Sequence, residues 1–445
     1  MITELTGGKL IKAGELYSAQ DVFTPTKPAR ITFVEREVIN DKLVAALRTP
    51  GKQLVVYGHS GSGKTTLLVN KLHQLYENHI TTRCISGLTF EQLLLDAFDQ
   101  LNNFYDAEKV YAAKRNVSSS LQAEYVGIKL QAGAQISSEQ QTNQQRVLPP
   151  QLTPQTLAKF LGTARCCWVL EDFHKIEPPE KRKLAQVMKV FMDMSDEFSF
   201  LKIIAIGAVG TARQVVEYNA EMRNRIAEIY VPLMTDVEIR EIPQKGEALL
   251  NFSLSSRVKN GIVMYSSGLA SVCHQLCLNI CFAADIYETL PRHAEIATAV
   301  LEKALDRYLE DASDTLKSSF DKALRQLRKG KFNNGRLILE ALLQCEQDGA
   351  TPAEILTKIK ERLPDYPSGN LTLYLKQLQT DERGALIRHD AGSGRYSFSD
   401  PIYRAFALTL FGQEHSEVDL TISREDLARA LNRLFADVGT LREVK

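Results

Sequence analysis

The stretch VVYGHSGSGKTTLL, Val55–Leu68, fits the pattern G-x-x-x-x-G-K-[ST] at Gly58, Gly63, Lys64 and Thr65. No other feature constrains the fold so tightly, because the pattern works only between a strand and a helix. Its glycines let the backbone turn so that N–H groups converge on a phosphate. The helix that follows presents its positive N-terminal end to the same anion. The flanks are the required ones: the apolar run QLVVY precedes the loop and the amphipathic stretch TTLLVNKLHQLYEN follows it. Phosphate contacts are therefore assigned to Gly58, His59, Ser60, Gly61, Ser62, Gly63, Lys64, Thr65 and Thr66. Lys64 reaches the β- and γ-phosphates of a nucleotide, and the Thr65 hydroxyl is a Mg²⁺ ligand.

The chain has 445 residues, too many for one ordinary core. Short apolar runs alternate with longer amphipathic stretches from Ile31 to Leu233. The strand candidates are Gln53–Tyr57, Thr81–Ser86, Cys166–Leu170, Lys202–Gly207 and Ala227–Val231. Nearly continuous apolar runs suit a parallel sheet buried on both faces, so the reading is an α/β layout with crossover helices. The expected organisation is an N-terminal arm over 1–30, an α/β domain over 31–233, a helical lid over 234–303, a winged-helix domain over 304–415 and an amphipathic helix over 416–445. Phe23–Arg30, with two prolines, reads as extended. Around Tyr125–Ile136 the apolar period changes to two, which predicts a strand or hairpin inserted at about 117–150, ahead of a Gln-rich loop. The helices NNGRLILEALLQCEQ, TPAEILTKIKERL and GNLTLYLKQLQTDERG are followed by two extended runs around AGSG, the order of a winged helix. Ser423 and Asp426 open the terminal helix in capping-box spacing.

The partner of a phosphate loop is a buried strand ending in acids. CCWVLEDFHKI supplies it, with Glu171 and Asp172 after Leu170. By position Glu171 takes the metal side and Asp172 orients and activates the attacking water. The usual order is Asp then Glu, so the two roles can also be exchanged, and slow turnover is expected.

These pieces resemble the AAA+/STAND class of P-loop ATPases over roughly residues 31–412. The resemblance implies an ATP- and Mg²⁺-binding ATPase with a P-loop parallel-sheet domain, a helical lid and a C-terminal winged helix. ITFVEREVINDKL, Ile31–Leu43, is similar to the segment that flanks the adenine, with Glu35 in place of a glycine. KIIAIGAVGTARQV stands at the sensor 1 strand, with Thr211 and Arg213 as candidates. EMRNRIAEIYVPLM is similar to the stretch that carries an arginine finger; Arg225 is the first candidate and Arg223 the second. YSSGLASVCHQL opens the lid helix but has neither the sensor 2 arginine nor the Gly-x-Pro of STAND members. There His274 faces the β-phosphate or, preferably, makes a local hydrogen bond. Cys273, Cys277 and Cys281 share a helix face but lack the chelating pairs of a zinc site.

Two functions follow from the resemblance. The first is a switch that opens or forms a homo-oligomer in the ATP state and controls a separate effector or sensor protein, with a bacterial regulatory or anti-phage defence role as the analogy. About 30 residues stand on either side of the ATPase and winged helix, so a switch of this kind is expected to have its effector, and its sensor, on separate proteins. The second is a DNA-handling ATPase of the initiator or transposition-helper type. Against it, Lys+Arg and Asp+Glu both total 54, and the recognition helix and wing mix Lys376, Arg383, Arg388, His389 and Arg395 with Asp381 and Glu382. A metabolite kinase is a third reading that needs no winged helix. No secretory signal or membrane-length apolar run is visible, and seven cysteines without a framework suit a reducing cytoplasm.

Overall fold

The structure is a computed structural model that describes residues 16–76, 78–112, 152–208, 224–326, 331–390 and 393–412. The inserted segment at about 117–150 and the C-terminal amphipathic helix lie outside the described residues. Two units divide the chain: Glu35–Gly58 with Lys64–Pro232, and Met1–Val34 with His59–Gly63 and Leu233–Lys445.

The first unit is built on five parallel strands. In chain order it runs α1 (Glu37–Arg48), β1 (Gln53–Tyr57), α2 (Lys64–Leu75), β2 (Asn78–Arg83), α3 (Phe90–Ala112), α4 (Pro154–Thr163), β3 (Cys166–Glu171), α5 (Pro178–Asp193), β4 (Ile203–Gly207) and β5 (Ile226–Tyr230). The strand order is β2-β3-β4-β1-β5, with β1 in parallel register between β4 and β5. Every residue of β4 is buried, as a central strand covered on both faces requires. Trp168 of β3 is fully buried and donates its indole N–H to Thr82 Oγ1 (3.0 Å). Helices α4 and α5 lay Leu157, Leu161, Leu184, Met188 and Phe191 onto the same core. Gly162 of α4 has a packing reason, since a Cβ there would strike the Phe198 ring at 2.3 Å.

One strand is displaced from its expected place. The sequence predicts Thr81–Ser86, whereas β2 occupies Asn78–Arg83 and pairs with Cys166–Glu171. β2 is the sheet's edge, so polar Asn78 and His79 are tolerated at its start, and the chain leaves at Gly87 (φ +82°).

The second unit opens with a short helical turn, Ala19–Val22, capped by the Ser18 hydroxyl. It continues with α6 (Asp236–Leu250), β6 (Phe252–Leu254), α7 (Ser256–Ser266), α8 (Ala270–Ala283), β7 (Ala294–Ile296) and α9 (Val300–Glu310). Thr235 and Glu238 form a capping box that starts α6. Helix α8 is buried on nearly every side, including Val272, Leu276 and Ile280, and is the central helix of this part. Its cysteines Cys273, Cys277 and Cys281 are free and buried, and burial pushes the Cys281 thiol up to about 12. Phe23 is buried against α6, where Gly246 is required because a Cβ would meet the ring at 2.0 Å. The parallel pair β6–β7 has no counterpart in the sequence reading.

The unit ends in α10 (Asp314–Leu324), α11 (Asn334–Leu343), α12 (Pro352–Arg362), α13 (Ser368–Gln377) and the antiparallel hairpin β8 (Ile387–Asp390)–β9 (Arg395–Phe398), followed by a helical stretch over 401–412. Ala350 exchanges two backbone hydrogen bonds with Tyr396 (2.9 and 2.8 Å), so the chain before α12 pairs with the wing. This is the winged-helix arrangement, with Ile338, Leu342, Ile355, Leu371, Leu375 and Phe406 in its core.

Candidate functional site

Gly58–Gly63 joins the C-terminal end of β1 to the first turn of α2. Gly61 (φ +74°) and Gly63 (φ +89°) are left-handed, the conformation that a loop wrapping its N–H groups round an anion needs. A Cβ on Gly63 would meet nothing within 4 Å, so that side of the loop is open. Lys64 Nζ donates to Gly58 O (3.1 Å), which holds the ammonium over the loop. The Ser62 hydroxyl is buried without a hydrogen-bond partner. An orphaned hydroxyl inside a phosphate-type loop fits a ligand oxygen.

Strand β3 delivers the acids to the same edge of the sheet. β1 and β3 are separated only by β4, a spacing of about 10 Å at ordinary strand separation. Glu171 is half-buried and faces Arg83, its register partner on β2, at Nε–Oε2 3.6 Å. Asp172 is left-handed (φ +56°) and turns the chain out of the strand into a short 3₁₀ turn, Phe173–Lys175. Its Oδ2 pairs with Lys175 Nζ at 2.6 Å. Buried Phe173 anchors the turn, and buried Lys181 donates to His174 O (3.0 Å). His174, in this turn beside the acids, is a residue that the sequence reading passed over. Burial lowers its pKa first; the cations Lys175, Lys181 and Lys64 lower it further, against Asp172. The signal was a histidine three positions past the first acid, in a run read only for its carboxylates.

The Thr65 hydroxyl and the Glu171 carboxylate are hard oxygen donors, which suits Mg²⁺. Among the described residues no group of three or more His, Cys, Asp or Glu side chains could hold a metal. A Mg²⁺ here would therefore complete its shell with phosphate and water.

In the second unit, Gly61 touches the start of α8. Ser271 N–H lies 3.5 Å from Gly61 O, and a Cβ on Gly61 would come within 2.4 Å of Ser271 Oγ. Two left-handed residues, Ser267 (φ +47°) and Gly268 (φ +74°), make the turn into α8. Gly268 O accepts from Met234 N–H at 2.8 Å, and a Cβ on Gly268 would strike Met234 O at the same distance. His274 is a buried acceptor: its Nδ1 takes the Thr24 N–H at 3.2 Å, its ring meets Phe23 edge-on, and burial pushes its pKa down to about 4. That contact is the hydrogen-bonding alternative for this residue, though to a segment far away in sequence.

No protein-family model matches the chain, and no curated protein matches it in sequence. Among solved structures, the Walker-type ATPase of Pyrococcus abyssi superposes with a TM-score of 0.53 at 15% identity, covering 87% of this chain and 99% of its own. The two share a fold, a parallel-sheet α/β core accompanied by many helices. More distant likenesses, at 14% identity, are Cdc6p from Pyrobaculum aerophilum (TM-score 0.40; 88% of this chain, 97% of its own) and the ORC1 protein of Aeropyrum pernix, solved in complex with DNA (0.41; 91% and 100%).

Within this P-loop fold the other sequence candidates fall in different places. Glu35, which stands where a glycine was expected, forms an ion pair with Lys71 of α2 (3.0 Å) and accepts from Asn40. Arg36 donates to Pro232 O (3.0 Å). The segment is thereby tied to the helix that follows the phosphate loop. Arg225 lies at the N-terminal end of β5, beside Gln53 and opposite the edge that carries Lys64 and the acids. A five-residue strand puts about 16 Å between the two edges. Arg225 pairs there with Asp193 (2.9 Å), both side chains half-exposed, and is not brought to this chain's own phosphate loop. Thr211, Arg213 and Arg223 lie outside the described residues.

Proposed function

We propose that the chain binds ATP with Mg²⁺, hydrolyses it slowly, and uses the bound state as a switch that controls a separate partner protein. The loop N–H groups, Lys64 and the Thr65 and Thr66 hydroxyls would hold the phosphates. Thr65 and Glu171 would hold Mg²⁺, which when bound neutralises charge on the β- and γ-phosphate oxygens. Asp172 would accept a hydrogen bond from water and take its proton as the water oxygen bonds to the γ-phosphorus. The bond from that phosphorus to the β–γ bridging oxygen then breaks, leaving ADP and inorganic phosphate. Two features favour slow turnover: the acids stand in reversed order, and Asp172 already has Lys175 as a partner.

The observation that carries the switch reading is that His59–Gly63 groups with the lid and winged helix, with Gly61 in contact with the start of α8. A conformational switch needs contacts that differ between nucleotide states, and these join the phosphate loop to the start of α8. A homo-oligomeric ATP state, with Arg225 reaching a neighbour's nucleotide, belongs to the same proposal. A regulatory or defence setting is an analogy from fold. No described helix is long and apolar enough to cross a membrane.

DNA binding is the less favoured alternative. Of the basic side chains available to it, Arg383 donates to Arg325 O (2.7 Å), Arg395 donates to Gly349 O (3.0 and 2.7 Å), and Arg388 donates to Ser397 (3.2 Å). The outer face of α13 exposes Leu373 beside Lys376. A phosphate-gripping surface wants free cations. ATP turnover and ATP retention in Asp172→Ala test the proposal. Turnover is expected to fall about 100-fold with binding kept; normal turnover would remove Asp172 from its role.

A further inference from the structure

We infer that Arg404 is a positioning residue for the nucleotide: it sets the phosphate loop by holding the Ser267–Ser271 turn. The inference rests on the nucleotide reading above and adds the residues through which the winged helix acts. Arg404 lies in the helical stretch over 401–412, 137 positions from Ser267. Its Nη1 donates to Ser267 Oγ at 3.0 Å. Its Nη2 donates to Leu343 O (3.1 Å) and Cys345 O (3.2 Å), at the end of α11. From the same connection, Gln347 Nε2 donates to Ser267 O (3.2 Å). The guanidinium thus ties the end of one winged-helix element to the lid turn. Its Nε is buried without an acceptor, and burial lowers its pKa from the usual value.

The turn it holds has little freedom. Ser267 and Gly268 are both left-handed, and Met234 fixes Gly268 O. Three residues on, Ser271 fills the space beside Gly61. A displacement of Ser267 therefore shifts Ser271 against a glycine with no side chain to absorb it. Closely packed elements respond to such shifts by changing arrangement rather than by yielding. Removing the Arg404 clamp should loosen the phosphate loop although Arg404 itself touches no phosphate.

The test is the dissociation rate of fluorescently labelled ADP from the full chain and from Arg404→Lys, Ser267→Gly and the double variant. Ser267→Gly deletes the hydroxyl while suiting the left-handed backbone. Each single change is expected to speed release about 3- to 30-fold, and the double change no more than the larger single one, because both break one contact. Gln347→Ala, at an exposed side chain, should speed release more weakly and guards against a folding defect at Arg404. Release within twofold of the parent in all folded variants, or effects that multiply in the double variant, would overturn the inference. If the parent chain does not bind labelled ADP at all, the nucleotide reading fails and takes this inference with it; normal parental binding with insensitive variants sinks this inference alone.

Discussion

The two edges of the parallel sheet both carry lysine and arginine, and they use them differently. At the N-terminal edge Lys202 is fully buried and donates to Thr49 O, the carbonyl at the end of α1. Burial, and then the charge of Lys52, pushes its pKa down to about 8. Arg225 and Asp193 pair at the same edge. At the C-terminal edge Lys64 holds a loop carbonyl, Lys175 an exposed carboxylate and Arg83 the half-buried Glu171. Lys202 is committed to the chain's own backbone. Arg225–Asp193 is as exposed as Lys175–Asp172, and exposed pairs of this kind are weak enough for an anion to replace at small cost. Residue type alone does not separate structural from chemical cations; the partner and its exposure do.

The largest expected effect comes from Lys64→Ala, which should weaken labelled ATP binding at least about 100-fold through loss of a charge-assisted phosphate contact. Equal loss of binding from Lys202→Met would break the contrast between the edges. That variant should instead change how stability depends on pH. With the folded pKa near 8 and the unfolded value at 10.5, the unfolded chain binds more protons between them, so stability rises with pH across that window. The rise is on the order of 3 kcal/mol at most, and denaturant midpoints at pH 8 and 10 should show it shrinking in Lys202→Met.

His274 in the second unit gives a matching acid-side effect. Its folded pKa of about 4 lies below the unfolded 6.5, so the unfolded chain binds the extra proton and stability falls as pH drops through that range. The loss is about 3 kcal/mol by pH 4. In His274→Gln, chemical denaturation at pH 6.5 and 4.5 should show a smaller fall. The smallest effect is expected for Arg225→Ala. Single-turnover hydrolysis at concentrations that keep the chain monomeric should change less than twofold, because Arg225 lies at the wrong edge for its own nucleotide. A drop of tenfold under those conditions would place that arginine in its own site.

The strand–loop–helix around Gly58–Thr65 was legible because the motif demands particular residues at fixed spacing inside a strand–helix flank. The strand that ends at Glu171 was legible as a continuous apolar run. Other features were not, and each for a physical cause. β2 slid by three residues because an edge strand need not be apolar. The three-residue strands β6 and β7 are too short to show a period. Glu35 looked like a mismatch because its partner Lys71 sits 36 positions away. The Arg404–Ser267 contact, between distant residues of unremarkable type, leaves no local pattern at all. His174 was visible, but only its neighbours' carboxylates were weighed.

The most direct test of a nucleotide switch is the particle mass distribution of the purified chain with Mg²⁺ and ATP, measured with and without duplex DNA. The account predicts a nucleotide-dependent change, toward an open monomer or a small oligomer, that DNA leaves unaltered. Rings or filaments that form only when DNA is present would contradict it.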